Sequence, residues 1–174
     1  ILFSIADEKK QEKILKNVLE NDEIPAITTP YFNFFELDVL CRMGKLTEVL
    51  DKIRSYWGGM LDLGAVTFWE EYDPSVPKEK QYDMYGDHFG KSLCHAWAAS
   101  PIYFLAKYFA GLDLVNKDGV TYILKPQMQY FTELDCTLPV GSKGVVRLVW
   151  DGEILEITPN ADGGMLELGE QKLS

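Results

Sequence analysis

The chain has few of the residues that most often carry metal, redox or nucleotide chemistry. Its 174 residues include two histidines, His88 and His95, and three cysteines, Cys41, Cys94 and Cys136. With no C-x-x-C, HExxH or paired-histidine spacing, a metal site has no support. The cysteines lie far apart in apolar settings and their odd number leaves one unpaired, so buried free thiols are expected rather than a disulfide framework. No P-loop, dinucleotide glycine fingerprint or G-x-S-x-G elbow is present, which removes the footing for nucleotide and serine-hydrolase chemistry and leaves no cofactor to expect. Positive charge is scarce too. Seventeen Lys and Arg stand against 27 Asp and Glu for a net charge of −10, without a basic cluster. Nucleic acid and anionic membrane are therefore poor partners. No apolar run approaches the roughly 20 residues that span a bilayer. The first residues, ILFSIADEKK, lack the order of a signal peptide and carry no initiator methionine, which reads as an excerpt of a longer polypeptide.

What the chain does have is 47% hydrophobic and 25% charged residues, the balance of a globular protein. The periodicity predicts a helix over 8–20, with Asp7 as its cap and Ile14, Leu15, Val18 and Leu19 as its apolar stripe. Thr29-Pro30 opens a second helix that ends at Gly44 and is apolar almost all round, so most of its surface is expected to be buried. A third, one-faced helix carries Leu46, Val49, Leu50, Ile53, Tyr56 and Trp57. A buried helix joined by a tight turn to an amphipathic one is the αα-hairpin from which inner and outer rings of helices are built. Residues 73–88 read as a surface loop, and 91–110 as a long apolar helix that Pro101 kinks or divides.

From Leu112 the period changes to two. VTYIL, MQYFTEL, GVVRLVW, EILEIT and GMLEL are bounded by Gly, Pro, Asn or Asp, the pattern of a small antiparallel β domain. Asp151-Gly152 suits a two-residue hairpin turn. Gly141 to Gly144 and Asn160 to Gly164 supply further turn signals. The expected division is a domain of helical hairpins over 1–111 and a small antiparallel β domain over 112–174.

Between the third helix and the loop lies WGGMLDLGAVTFWEEY, residues 57–72, which reads as a binding loop. Aromatic faces can stack on a flat ligand, glycines allow close backbone approach, and a carboxylate can move a proton. Glu70 and Glu71 are adjacent, so at most one faces a given pocket. Glu70, after Phe68 and Trp69, gains an apolar wall expected to raise its proton affinity. The competing reading is a buried aromatic turn with both acids in solvent. His95, placed in an apolar helix, is either a satisfied core residue or a ligand contact. Trp97 reads as core, and Trp57, beside Gly58-Gly59, as a possible pocket aromatic. Aromatics beside carboxylates suit a sugar, whose faces stack and whose glycosidic bond needs an acid and a base.

TTPYFNFFELDVLCRMG, YWGGMLDLGAVTFWEEY and SLCHAWAASPIYFLAKYFAGL together resemble the C-terminal end of a bacterial α-L-rhamnosidase. LPVGSKG and VRLVWDGEILEITP in the tail are similar but carry less. The resemblance implies a mainly α plus β fold, the C-terminal part of an (α/α)6 barrel followed by a small antiparallel β-sandwich. It also implies inverting hydrolysis of a rhamnose-containing glycan or glycoside, with Glu70 as the general base and His95 and Trp57 as substrate contacts. Inversion needs a second carboxyl roughly 6.5–9.5 Å from the base. No motif here matches that acid, which the resemblance places in an N-terminal part of the same polypeptide. The chain supplies about four helices of such a ring. One face of the inner helices is accordingly expected to be exposed, and the 174 residues alone inactive. Two alternatives remain: another glycosidase on the same barrel, and a non-catalytic sugar-binding or assembly module.

Overall fold

The computed structural model describes residues 1–114, 122–140, 144–160 and 164–166. It is a mixed helix and sheet structure that divides into two units, Ile1–Ser100 and Pro101–Ser174. The division precedes the change of period at Leu112.

In the first unit, α1 (Glu8–Ile14) begins where the Asp7 carboxylate accepts the Lys10 N–H at 2.9 Å, and it runs on as a wider π-type turn over Leu15–Leu19. Of its apolar stripe Leu15 is buried, while Ile14 and Val18 are exposed. Helix α2 (Pro30–Arg42) starts with proline where a missing N–H costs nothing. It ends in a Schellman turn, Lys45 N–H to Leu40 O at 2.9 Å and Gly44 N–H to Cys41 O at 3.0 Å. The expectation that its apolar residues are mostly buried needs correcting. Tyr31, Phe32 and Phe35 are exposed, whereas the polar Asn33 and Asp38 are buried. Asn33 donates to the Ile27 carbonyl at 3.2 Å and Asp38 accepts from Arg42 Nε at 3.0 Å, which offsets part of the cost of burying them.

Helix α3 (Leu46–Lys52) continues through a π-type turn at Ile53–Trp57 into α4 (Gly58–Asp62). The residues Trp57-Gly58-Gly59-Met60 are therefore helical and not a loop, a second correction. Glycine is a poor helix former, but Met60 is buried and a side chain at Gly59 would overlap the Tyr72 phenol, so packing overrides propensity. The helix closes at Gly64, φ +90°, with Ala65 N–H to Met60 O at 3.0 Å.

Residues 73–88 are irregular, as expected, apart from a short 3-10 turn at Lys78–Lys80. The long helix expected over 91–110 does not form. Residues 91–95 are extended or bent, Ala96–Ala98 makes one 3-10 turn, and α5 (Ser100–Phe104) begins only at the proline. Pro101 cannot donate within a helix but is suited to a first turn, so it starts the helix instead of kinking it. Cys94, expected buried, is exposed on this irregular segment; Cys41 is buried, Cys136 half-buried, and none of the three forms a disulfide.

In the second unit the chain leaves α5 through a π-type turn, Leu105–Phe109, and forms two three-stranded sheets. One has the order β1 (Leu112–Leu114), β2 (Tyr122–Leu124), β6 (Gly164–Leu166). Here β1 and β2 are antiparallel while β2 and β6 run parallel, so the tail is not wholly antiparallel. The other sheet is an antiparallel meander of β3 (Leu134–Val140), β4 (Gly144–Trp150) and β5 (Leu155–Asn160). MQYFTEL is not a strand: Met128–Tyr130 is a 3-10 turn and pairing starts at Leu134. Pro139 sits in β3 because β3 is an edge, where a missing donor is harmless. The β4–β5 connection spans four residues, since Trp150 pairs with Leu155, and Asp151 closes it by accepting the Glu153 and Ile154 N–H groups. The turns expected at 141–144 and 160–164 lie largely outside the described residues. Tyr122 and Leu124 of one sheet share a buried cluster with Leu138, Val140, Val146 and Leu148 of the other and with Ala110. Among the described residues no helix is long and apolar enough to cross a membrane.

Gly111, at the exit of this unit's helix, has φ +73°, and a Cβ there would collide with the Lys125 backbone, whose N–H donates to the Gly111 carbonyl at 3.0 Å. Gly111→Ala is therefore expected to destabilise by about 2–4 kcal/mol, combining left-handed strain with overpacking. A urea unfolding curve of the variant beside wild type measures this.

Candidate functional site

Two irregular segments of the first unit create the site. After Gly64 the chain runs beside residues 91–95, joined by Glu70 N–H to Ser92 O at 2.9 Å and His95 N–H to Phe68 O at 2.8 Å. The Thr67 hydroxyl adds a bond to the Leu93 carbonyl. Residues 65–72 are irregular and bent, and the two neighbouring glutamates enter different surroundings.

Glu71 faces Thr28, whose hydroxyl donates to Oε1 at 3.0 Å, and Lys91, whose Nζ lies 3.7 Å from Oε2. The Lys91 side chain is only 3% exposed. A buried ammonium needs a counter-charge, so Glu71 holds the fold together.

Glu70 is 7% exposed. Its Oε1 accepts the Tyr85 hydroxyl at 2.6 Å and its Oε2 accepts the Ser92 N–H at 3.1 Å. His95 Nδ1 is 3.8 Å from Oε2. Contrary to the expected rise in proton affinity, its carboxyl is held below the usual glutamate range. The Tyr85 hydroxyl is the largest cause and outweighs the opposing effect of burial, with the Ser92 amide and the positive potential of His95 and Lys91 adding to it. The Tyr85 phenol is pushed up in return by the same hydrogen bond. Glu70 is thus a shielded carboxylate that stays ionised, the state a base requires.

Of the three residues singled out from the sequence, the structure brings Glu70 and His95 together. Trp57 it places elsewhere. The Trp57 ring is 5% exposed, packed edge-on against Tyr56 with centroids 4.7 Å apart, and its Nε1 donates to the Ala98 carbonyl at 2.8 Å. Expected as a pocket aromatic, Trp57 is a buried ring with its donor engaged. Trp97 shows the reverse. Expected in the core, it is 48% exposed, with its ring 4.2 Å from the His95 ring and 5.3 Å from Tyr31. A continuous helix over 91–110 would point residues two apart to different sides, whereas the chain leaves the irregular 91–95 stretch into a single 3-10 turn and the two rings meet. Tyr85 also escaped the sequence reading; its only signal was the following glycine in Met84-Tyr85-Gly86-Asp87.

A cleft of about 540 Å³ is lined by Ile27, Thr28, Tyr56, Tyr72 and Asp73 among others, but neither Glu70 nor His95 lines it. Among the described residues no cluster of three or more His, Cys, Asp or Glu side chains is arranged to hold a metal ion.

No protein-family model matches this sequence. The curated proteins contain no match either. Among solved structures, a crystallographic GH78 family rhamnosidase of Bacillus sp. GL1 is similar, with a TM-score of 0.74 and 24% identity over 95% of this chain. The likeness is one of fold. This chain spans 18% of that protein's length.

Two outcomes are expected. Trp57→Phe keeps the packing but strands the buried Ala98 carbonyl, and should lower unfolding free energy by about 1–3 kcal/mol in denaturant titrations. Glu70, its pKa depressed on folding, contributes stability that is fully present above the ordinary glutamate value of about 4.3 and disappears as pH falls through the lower folded value. Unfolding free energy measured across that window should therefore fall more steeply for wild type than for Glu70→Gln.

Proposed function

We propose that this chain carries the base half of a glycoside-hydrolase site, and that the protein to which it belongs hydrolyses terminal α-L-rhamnose from a glycan or glycoside with inversion. The observation that supports this best is the buried, ionised Glu70 beside His95 and the exposed Trp97 ring, on a fold shared with a rhamnosidase. The resemblance of the WGGM, G-A-x-T-x-W-E and Cys-His-x-Trp segments gives the same assignment of Glu70.

In this mechanism Glu70 takes a proton from a water molecule as that water attacks the anomeric carbon from the face opposite the leaving group. A general acid in another part of the polypeptide, outside these 174 residues, protonates the departing oxygen. His95 is positioned to bind a sugar hydroxyl while its Nδ1 faces Glu70 Oε2. Trp97, with Tyr31 against it, offers the apolar face on which a sugar ring stacks. Trp57 serves indirectly, holding the Ala98 carbonyl just beyond Trp97. The base alone cannot complete the reaction, so the 174 residues by themselves are proposed to be inactive.

In the intact protein, Glu70→Gln should reduce release of the sugar from an aryl α-L-rhamnoside by about 10²–10⁴-fold, the usual contribution of a general base. The substrate Kd should change little. Near wild-type turnover in that variant would sink the assignment. A panel of aryl glycosides tests the sugar, and titration with rhamnose without any product formation would favour a binding module instead.

A further inference from the structure

The residue with the closest hold on Glu70 is itself unusually placed. Tyr85 is 78% exposed, yet its hydroxyl reaches inward to Glu70 Oε1 at 2.6 Å. Its backbone has φ +55° and the next residue, Gly86, φ +81°. Met84 and Asp87 flank the pair and exchange both backbone bonds, N–H to O at 2.9 Å in each direction. This is a two-residue hairpin turn of the type that needs positive φ at both central positions, for which Asn, Asp and Gly are suited and an aromatic residue is not. Tyrosine here is conformationally costly, and its ring gains little burial in return. What the position does provide is a phenol aimed at one carboxylate oxygen. Gly90 supports the turn from below: a Cβ there would collide with the Met84 carbonyl, so the chain folds tightly back on itself.

Resting on the reading of Glu70 as the base, we propose that Tyr85 is a positioning residue for it: the hydroxyl occupies Oε1, fixes the carboxylate plane, and leaves Oε2, beside the Ser92 N–H and His95, as the oxygen that receives the proton. The positive charge of Lys91 also favours the ionised form of Glu70, while Glu70 and Glu71 both oppose ionisation of the Tyr85 phenol. The phenol therefore remains a donor, and the Tyr85-Gly86 turn sets how much of the base is ionised at low pH.

The test is Tyr85→Phe in the intact protein, beside Tyr85→Asn, which suits the left-handed backbone and keeps the turn while removing the hydroxyl. Two readouts are followed: the carboxyl titration of Glu70 by ¹³C NMR of labelled glutamate, assigned by its loss in Glu70→Gln, and the pH profile of kcat/KM on an aryl α-L-rhamnoside. In both variants the Glu70 midpoint should rise, and the acid limb of kcat/KM should rise with it, a shift of one unit giving about a tenfold loss on that limb. On the neutral plateau KM should hold. An unmoved Glu70 midpoint in Tyr85→Phe overturns the proposal, as does a wild-type acid limb in Tyr85→Asn. If instead the midpoint rises, the acid limb stays still and Glu70→Gln remains active, the catalytic reading of Glu70 falls, and Tyr85's role in catalysis falls with it.

Discussion

The pairing of two irregular segments, 67–70 and 92–95, is the constraint on which the site depends. Two backbone hydrogen bonds, Glu70 to Ser92 and His95 to Phe68, join residues more than twenty positions apart. They bring the Ser92 N–H onto the Glu70 carboxylate and the His95 ring near it, and leave the Trp97 ring exposed beside His95. Neither segment belongs to a regular sheet; the Thr67 hydroxyl bond to Leu93 reinforces the pairing, and the Trp57 bond to Ala98 ties the turn that follows it to the helices. Much of the apolar content of 57–69 serves as support for this arrangement: Trp57, Met60, Ala65 and Trp69 are all buried.

The same pairing gives two adjacent glutamates different work. Their side chains diverge, and each is then defined by what it meets. Glu71 meets a buried ammonium and a threonine hydroxyl, which make it a structural counter-charge. Glu70 meets neutral donors, a phenol and an amide, with the histidine ring slightly farther away. Neutral donors keep a carboxylate ionised without cancelling its charge. That leaves Glu70 chemically available in a way that Glu71 is not.

Much of the helical part was legible from local rules. Proline at the start of α2, glycine after it, and the spacing of Leu46, Val49, Leu50 and Ile53 act within a turn or two of the chain, so they place α2 and α3 without knowledge of neighbours. The failures fell where distant partners decide. Gly58-Gly59 became helical because Tyr72 packs against it, and residues 91–99 lost their helix to a partner segment some 25 positions earlier. Once His95 was misplaced on a helix, Trp97 could not be seen beside it. Tyr85 was missed for a related reason, since a tyrosine in a polar loop has no local pattern that reveals which carboxylate it reaches.

By itself, then, the sequence determined α1, α2 and α3, the turn to period two beyond Leu112, and the choice of Glu70 and His95 as residues to watch, because propensity, capping and side-chain type are local properties. The tertiary structure alone decided that Trp57 is buried and Trp97 is not, that Glu70 is held ionised where an apolar wall would have protonated it, and that Tyr85 is the group holding it. Burial and proton affinity depend on what lies across space from a residue, and at this site the neighbours that matter are from 15 to 41 positions away in the chain.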